Sequence, residues 1–296
     1  MASADSGIPP IGELRARLDA AGIHPVRRLG QNFLIDKNLI HLSVRAAELD
    51  GQTLAVEVGT GPATLTRGIA TEAGWVLSIE LDRNLVAFAR RELHDVDNVT
   101  LMEGDALAGK SEINPELLAE AERLRREHGL TRTAMVANLP YNIATPLIAD
   151  LLLTDTTIER YVVTVQQEVA DRLISPPGSK DYGWVSVLVA AMCDVKVVRK
   201  LGPHVFWPRP KVQSAILKFD RRDLGPSRQE VLDAVAVLRN VFNHRRKKIR
   251  HILNHQVGLD DDAIAALEDR FPLDERCDKL SPKELLALAT AAGREG

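Results

Sequence analysis

The chain has 296 residues, of which 45% are hydrophobic and 27% charged, and its formal net charge is −3. This length suits one large domain with a smaller companion, and the composition is that of an ordinary globular protein. No apolar stretch approaches membrane-spanning length, and two cysteines, Cys193 and Cys277, are too few for a disulfide framework or a zinc cluster. We therefore expect a cytoplasmic protein without a metal site. The net charge by itself gives no sign of a nucleic-acid partner, so any such prediction must rest on local charge.

The first twelve residues are small and polar with two prolines, which predicts a disordered lead-in. From about residue 53 onward, short β-branched or apolar runs alternate with helical patterns such as 85–93 and 146–153. This alternation predicts an α/β fold with a mostly parallel, buried sheet and an antiparallel pair at one edge. The expected strands are 54–58, 76–79, 99–102, 134–137, 161–165, 195–198 and 215–219.

The segment 106–133 between the third and fourth strands is long. Asn114 and Pro115 suit the start of a helix, and Gly129 suits its end, so we predict a crossover helix on the sheet. After a linker at 221–228, the patterns at 231–253, 261–267 and 282–292 are helical. We therefore divide the chain into a lead-in (1–12), an α/β domain (13–220) and a small helical domain (221–296).

Three successive strand ends suit an adenosyl ligand. Gly59 and Gly61 in the first strand-to-helix turn let a ligand approach the main chain. Glu80 ends the next strand, at the distance where an acidic residue takes the ribose hydroxyls, and Asp105 after the third strand can accept a hydrogen bond from an adenine amine. A dinucleotide would satisfy the same groups, so a nicotinamide-dependent oxidoreductase is an alternative, although no acid or base for hydride transfer is evident.

The fourth strand is followed by Asn138, Leu139, Pro140 and Tyr141, which suit a flat base carrying an exocyclic amine. The Asn138 side chain and a backbone carbonyl at Leu139 or Pro140 can accept the amine hydrogens, while Tyr141 stacks on an extruded base. An ordinary strand-to-helix turn could contain these residues, but a methyltransferase acting on an amine uses all of them. Catalysis would rest on positioning and electrostatics without a strong general base.

Taken in order, these residues resemble the rRNA adenine dimethyltransferase (KsgA/RsmA) family, which has the erythromycin-resistance methyltransferases as relatives. The resemblance covers about residues 14–288 and includes further runs at 29–34, 165–173, 177–183, 206–214, 242–248 and 280–285. Two departures stand out. The segment 106–133 is longer than is usual in the family, and the run at 60–62 is Thr-Gly-Pro where Pro-Gly-Leu is more frequent.

The resemblance implies a class I methyltransferase fold, which is Rossmann-like, with S-adenosyl-L-methionine as the methyl donor. It implies donor contacts from Asn32, Leu34, Gly59, Gly61, Glu80, Asp105 and Asn138. It also implies that Phe206 flanks the target adenine opposite Tyr141. The implied activity is N6-dimethylation of two adjacent adenines near the 3′ end of small-subunit (16S) rRNA, in the assembling 30S subunit. We expect the enzyme to be a monomer that takes part in ribosome biogenesis.

The run 239–251 carries six basic residues and no acid, and at helical spacing Arg239, Arg246 and Arg250 share one face with Asn243. A solvated helix face is the alternative, but beside a domain of this resemblance we predict contact with RNA phosphates. The predicted RNA-binding residues are Arg239, Arg245, Arg246, Lys247, Lys248, Arg250, Lys180 and Lys211, with Arg27, Arg28 and Arg209 as an extension.

Two rival functions stay open on the same fold. One is a large-subunit rRNA methyltransferase of the resistance type, against which the run at 206–214 and the form of the basic tail argue. The other is a non-catalytic assembly or transcription factor, against which the intact Asn138, Tyr141 and Glu80 argue.

Overall fold

The computed structural model describes residues 7–26, 29–109, 112–154, 158–222 and 227–295. Its helices are α1 (Ile11–Ala20), α2 (Lys37–Ala47), α3 (Thr64–Ala70), α4 (Arg83–Glu92), α5 (Pro115–Glu127), α6 (Ala144–Leu153), α7 (Gln167–Leu173), α8 (Trp184–Met192), α9 (Arg228–Asn243), α10 (Ile249–Ile252), α11 (Asp261–Glu268) and α12 (Pro282–Glu295). Its strands are β1 (Phe33–Leu34), β2 (Thr53–Val58), β3 (Trp75–Glu80), β4 (Val99–Glu103), β5 (Arg132–Asn138), β6 (Ile158–Gln166), β7 (Cys193–Leu201), β8 (Phe206–Trp207) and β9 (Ser214–Arg221).

The chain forms two compact units, of which the first comprises Met1–Asp150, Thr156–Ala170 and Lys196–Asp220. The second comprises Leu151–Asp155, Asp171–Val195 and Arg221–Gly296. The last break between the units falls between Asp220 and Arg221, and the predicted division of the chain into domains stays a prediction. Residues 171–195 group with the C-terminal helices, a grouping that the sequence pattern did not indicate.

A seven-stranded sheet with the order β4-β3-β2-β5-β6-β9-β7 is the centre of the first unit. Strands β4, β3, β2, β5 and β6 are parallel, whereas β9 runs antiparallel to β6. All six residues of β2 are buried, as expected for a parallel strand covered on both faces. The predicted α/β architecture with an antiparallel pair is therefore confirmed.

The strand order reverses between β2 and β5, because β2 pairs with β3 on one side and with β5 on the other. The carboxyl ends of strands beside such a switch point form the crevice in which open α/β sheets bind ligands. Gly59 directly follows β2 and Asn138 is the last residue of β5. The fold therefore places the predicted glycine turn and the predicted amine acceptor next to each other.

The long segment between β4 and β5 contains the predicted helix, α5. The Asn114 side chain accepts a hydrogen bond from Glu116 N at 2.9 Å, and Pro115 is the first helical residue. Asn114 also contacts the sheet edge, since its Nδ2 donates to the Asp105 carbonyl at 2.8 Å and its backbone N donates to the Ala106 carbonyl at 2.9 Å. The crossover helix is therefore tied directly to the end of β4.

Two sequence expectations differ from the structure. Ile8 is 2% exposed and α1 begins at Ile11, so residues 7–12 of the predicted lead-in contain a core residue and the start of a helix; residues 1–6 lie outside the described residues. The helix predicted at 231–253 is interrupted between Asn243 and Ile249. The backbone N–H groups of Ile249 and Arg250 donate to the carbonyls of Glu275 and Leu273 at 3.0 and 2.8 Å, which replaces continued helical bonding.

The second unit has its own apolar core, built mainly from α8, α9, α11 and α12. Its largest buried side chains include Tyr182, Phe242 and Leu238, with Tyr182 and Phe242 in an edge-to-face contact at 5.5 Å between ring centroids. In neither unit does the described part of the chain contain a helix long and apolar enough to cross a membrane.

Candidate active site

A pocket lies at the carboxyl ends of β2, β3, β4 and β5, in the first unit. Its lining includes eight of the residues predicted from sequence, namely Asn32, Gly59, Gly61, Glu80, Asp105, Asn138, Leu139 and Pro140. The other lining residues include Leu29, Gly30, Gln31, Phe33, Ile79, Leu81, Gly104, Ala106, Asn142 and Ile143. The structure therefore brings together side chains from four strand ends and from the segment that precedes β1.

The turn after β2 requires glycine at two positions. Gly59 has φ of 85° and Gly61 has φ of 52°, which lie in the left-handed region that side chains disfavour. A Cβ atom at Gly61 would lie 2.9 Å from Phe33 Cδ1, and one at Gly59 would lie 3.4 Å from Pro140 Cδ. Phe33 and Pro140 therefore pack close to the main chain of this turn, and both glycines line the pocket.

Two carboxylates follow along the same edge. Glu80 is 8% exposed; its Oε2 accepts from Gly61 N at 2.9 Å and its Oε1 accepts from Asp82 N at 3.0 Å. Burial raises the pKa of Glu80, while these backbone donors favour its charged form. Asp105 Oδ1 accepts from Leu107 N at 3.0 Å. Each carboxylate retains acceptor capacity for a ligand.

The amide of Asn138 has a defined orientation. Its Nδ2 donates to the Asn32 carbonyl oxygen at 2.7 Å, whereas its Oδ1 is buried and accepts no hydrogen bond. A flipped amide would place two oxygens against each other, so the hydrogen-bond partner fixes the assignment. Burial of an acceptor without a donor costs free energy, so Oδ1 is a candidate to accept a hydrogen bond from a ligand.

The residues after Asn138 form a turn that is tied to the neighbouring strand. Leu139 N donates to the Thr164 carbonyl at 3.1 Å, and the Pro140 carbonyl accepts from Ile143 N at 3.2 Å. Within the described residues, the Leu139 carbonyl has no such donor. Of the two backbone acceptors suggested by the sequence, Leu139 is therefore the available one.

Three predicted site residues are not part of the pocket lining. Tyr141 is half-buried beside it, and its hydroxyl is 2.8 Å from Ser214 Oγ. Leu34 and Phe206 are 3% and 1% exposed and pack in the core of the first unit, where they are paired across β1 and β8. The stacking role of Phe206 and the donor contact of Leu34 stay predictions, and in this structure neither side chain reaches the pocket.

Sequence reasoning did not single out Glu57, which lies in β2 under the glycine turn and is 0% exposed. Its Oε2 accepts from Thr66 Oγ1 and from Ser78 Oγ, both at 2.6 Å, and its Oε1 has no partner. Since Ser78 donates to Glu57, the 2.6 Å bond between Ser78 and Thr60 has Thr60 as donor. Burial raises the pKa of Glu57 to about 8. This hydrogen-bond network connects β2 to β3 and to α3, and through Thr60 it reaches the glycine turn.

Gln31 is a second residue that the sequence reasoning missed. Its Oε1 accepts from Val26 N at 2.6 Å and its Nε2 donates to Asp82 Oδ2 at 3.2 Å. Asp82 also caps α4 through Asn84 N at 3.0 Å. The segment before β1 is therefore fastened to the loop after β3, next to Glu80.

The basic residues predicted to bind RNA fall into different environments. Arg245 donates to the carbonyls of Lys180, Ser179 and Tyr182 at 2.8, 3.2 and 3.3 Å. Its guanidinium therefore stabilises the backbone of the loop at 179–182. Arg239 lies over the Trp184 ring, 4.6 Å from the centroid. Arg245 is half-buried, whereas Arg239 is exposed and stacks on the ring through one face of its guanidinium.

Lys248 and Arg250 form ion pairs with acidic residues from a later part of the chain, since the run 239–251 contains no acid. Lys248 Nζ is 3.1 Å from Asp274 Oδ1, and Arg250 forms an ion pair with Glu268. Because the helix is interrupted after Asn243, the predicted common face of Arg239, Asn243, Arg246 and Arg250 is wrong.

Five predicted RNA contacts are exposed and have no ion-pair partner within the described ranges: Arg239, Arg246, Lys247 and Lys180 in the second unit, and Lys211 in the first. Arg209 is likewise exposed, whereas Arg27 and Arg28 lie outside the described residues. No group of three or more histidine, cysteine or acidic residues suited to a metal ion occurs in the part that the structure describes.

The parallel sheet, with a pocket at the switch point that the glycine turn, Glu80 and Asp105 line, defines a Rossmann-like methyltransferase fold. The sequence matches the family of ribosomal RNA adenine dimethylases over residues 25–290. The chain belongs to this family and is an rRNA adenine methyltransferase, as the resemblance predicted. Membership implies S-adenosylmethionine as the methyl donor, and the glycine backbone, Glu80, Asp105 and the amides fit that group.

Individual relatives agree with this assignment. The ribosomal RNA small subunit methyltransferase A of Clostridium botulinum strain Langeland is 35% identical over 253 residues, which are 84% of this chain and 86% of the relative. A dimethyladenosine transferase from Plasmodium falciparum superposes with a TM-score of 0.69 at 20% identity, covering 86% of this chain and 94% of that one. The 23S rRNA methyltransferase ErmE gives 0.62 at 24% identity, with 88% and 99% covered. These two structures share the fold.

Proposed function

We propose that the protein transfers methyl groups to the N6 amine of two adjacent adenines near the 3′ end of small-subunit rRNA, giving dimethyladenosines. The observation that carries the proposal is the buried, unpartnered Asn138 Oδ1 in a pocket that also contains the glycine turn and Glu80. An adenine amine has two hydrogens to donate. Asn138 Oδ1 and the Leu139 carbonyl are two acceptors that can receive them.

The two acceptors have a specific chemical effect. The lone pair of an adenine amine is delocalised into the ring, which makes the nitrogen a poor nucleophile. Hydrogen bonds to Asn138 and Leu139 favour a more tetrahedral nitrogen whose lone pair points away from the ring plane. Bound S-adenosylmethionine supplies an electrophilic methyl group. As the N–C bond forms, the S–C bond of the donor breaks, and the positively charged amine that results is acidic enough to release its proton to water. The protein therefore needs no strong base, and its contribution is to position the amine.

Dimethylation places a further demand on the same two acceptors. After one methyl transfer the amine has a single hydrogen, so one acceptor holds it while the new methyl group occupies the other direction. Asn138 is the better partner for that hydrogen, since its Oδ1 is held by the bond from Nδ2 to Asn32. We therefore expect loss of Asn138 to impair both rounds of transfer.

The small-subunit target is supported by the relatives of 34–39% identity, which are small-subunit rRNA methyltransferases. RNA contact is supported by the exposed Arg246, Lys247, Lys180 and Lys211. We propose that the enzyme works as a cytoplasmic monomer on the assembling 30S subunit. Its two cysteines are both buried and too few for a disulfide framework, which suits a reducing compartment.

The test offers the purified protein labelled S-adenosylmethionine with undermodified small subunits, large subunits and free rRNA. We expect label on adjacent adenines of the small subunit, recovered as N6,N6-dimethyladenosine after nuclease digestion. An Asn138→Ala variant is the negative control. Label confined to large subunits would overturn the target, and absence of label on every RNA would favour a non-catalytic assembly factor.

A further inference from the structure

The Tyr141 hydroxyl makes a hydrogen bond that the proposed stacking role does not by itself require. Its Oη lies 2.8 Å from Ser214 Oγ. Stacking on a base uses the face of the ring, and a phenylalanine ring offers a similar face. The hydroxyl therefore calls for a separate explanation, and the bond to Ser214 supplies one.

Ser214 is a rigid anchor. It is 0% exposed and is the first residue of β9, where it pairs with Gln166 at the end of β6. The adjacent residue is fixed as well, since the Gln213 carbonyl accepts from Gln167 N at 2.9 Å. The serine hydroxyl thus occupies a position set by the sheet.

The Tyr141 backbone belongs to a turn that is held by hydrogen bonds, whereas its side chain has a single polar contact. Its backbone packs closely on Gly30, where a Cβ atom would lie 3.1 Å from Tyr141 N. Within the described residues, the Ser214 bond is the one polar contact of the ring, and no other aromatic ring contacts it. Burial raises the pKa of Tyr141, so its phenol stays protonated at neutral pH and able to donate. A ring attached at Cα and held at its hydroxyl keeps one χ1 rotamer.

We propose that Ser214 is a positioning residue for methyl transfer: its buried hydroxyl holds the Tyr141 ring in the orientation that stacks on the target adenine. This inference rests on the proposed function. Ser214 touches neither the donor nor the base and acts only through Tyr141. The start of β9 is thereby linked to the turn that follows β5, and β5 lies two strands away from β9 in the sheet.

A double-mutant cycle tests the proposal. Ser214→Ala and Tyr141→Phe each remove one partner of the same hydrogen bond and leave the aromatic ring in place. We expect each to slow single-turnover methyl transfer about tenfold, equivalent to about 1.4 kcal/mol, with the dissociation constant of S-adenosylmethionine unchanged. The double variant should be no slower than the slower single variant, because only one interaction is lost.

The matched control is Ser43→Ala, since Ser43 is also a buried serine of the first unit and bonds the Leu39 carbonyl at 3.0 Å. It removes a buried hydroxyl that has no contact with Tyr141 and should leave the transfer rate unchanged. Losses that multiply to about a hundredfold in the double variant, or a Ser214→Ala rate equal to wild type, would overturn the inference. Failure of the unaltered protein to methylate any RNA would instead overturn the proposed function, so the two failures are distinguishable.

Discussion

Replacement of Glu57 by glutamine gives a pH-dependent test of the buried network under the glycine turn. Glutamine resembles the protonated carboxyl, because its amide oxygen can accept from Thr66 and Ser78 as Oε2 does. Burial raises the pKa of Glu57 from 4.5 to about 8. The folded state therefore holds a proton that the unfolded state releases between those two values. The stability contributed by that proton is complete below pH 4.5 and is lost as pH rises through about 8.

The magnitude follows from linkage. Within this window, one extra proton bound in the folded state lowers the free energy of unfolding by about 1.4 kcal/mol per pH unit. Between about pH 5.5 and about pH 7.5, wild type should lose about 3 kcal/mol relative to Glu57→Gln. Urea denaturation at both pH values measures the difference, followed by tryptophan fluorescence because Trp75 and Trp207 lie in the first unit.

The exposed Glu72 provides the control substitution, Glu72→Gln, which changes the same side chain without touching the network. A constant difference between Glu57→Gln and wild type at the two pH values would show that Glu57 is ionised in the folded protein. The buried-acid explanation of the network would then be refuted.

Three further substitutions address the pocket and the RNA surface. Gly61→Ala should weaken S-adenosylmethionine binding at least about tenfold by calorimetry, since its Cβ meets Phe33 at 2.9 Å and φ is 52°; binding equal to wild type would contradict the close approach. Tyr141→Ala should slow methyl transfer by about 10- to 100-fold, which corresponds to the free energy of stacking one base, and should leave the affinity for the methyl donor nearly unchanged. A comparable loss of donor affinity would show that Tyr141 contacts the donor and not the base. Arg246→Glu should weaken RNA binding and reduce the salt slope by about 1; an unchanged slope would assign Arg246 to a solvated surface.

Matched variants separate these effects from general damage. Gly51→Ala tests alanine at a glycine with open space around it and should bind the donor normally. Arg90→Glu makes the same charge change on an exposed residue of α4 and should leave the salt slope as in wild type.

The sequence predicts the sheet well because each buried parallel strand is a short apolar run, and β2 is the clearest example. It predicts Asn138 and Glu80 because strand ends beside a switch point meet at one edge. Glu57 was missed although the run 53–58 contains a signal, namely one carboxyl inside an otherwise uncharged buried strand. Whether such a group is paired or protonated depends on Thr66 and Ser78, which only the fold brings close.

The interruption of the helix after Asn243 has no signal in the periodicity. Leu238, Val241, Ile249 and Ile252 are all buried at spacings that a continuous helix would also give. What ends the helix is a set of backbone hydrogen bonds to the loop at 271–275, more than twenty residues further along the chain. The same loop carries Asp274, so local charge counting overestimated the free positive charge of the basic run.

The crossover helix α5 is joined to the pocket edge through Asn114, which caps the helix and donates to the Asp105 carbonyl at 2.8 Å. Its outer face, by contrast, is a ladder of exposed Arg–Glu pairs such as Arg126 with Glu122. Substitutions on that outer face would therefore change exposed ion pairs and leave the Asn114 contact intact. Since no residue of α5 lines the pocket, the outer face is a suitable place to attach a surface label that leaves the pocket lining unaltered.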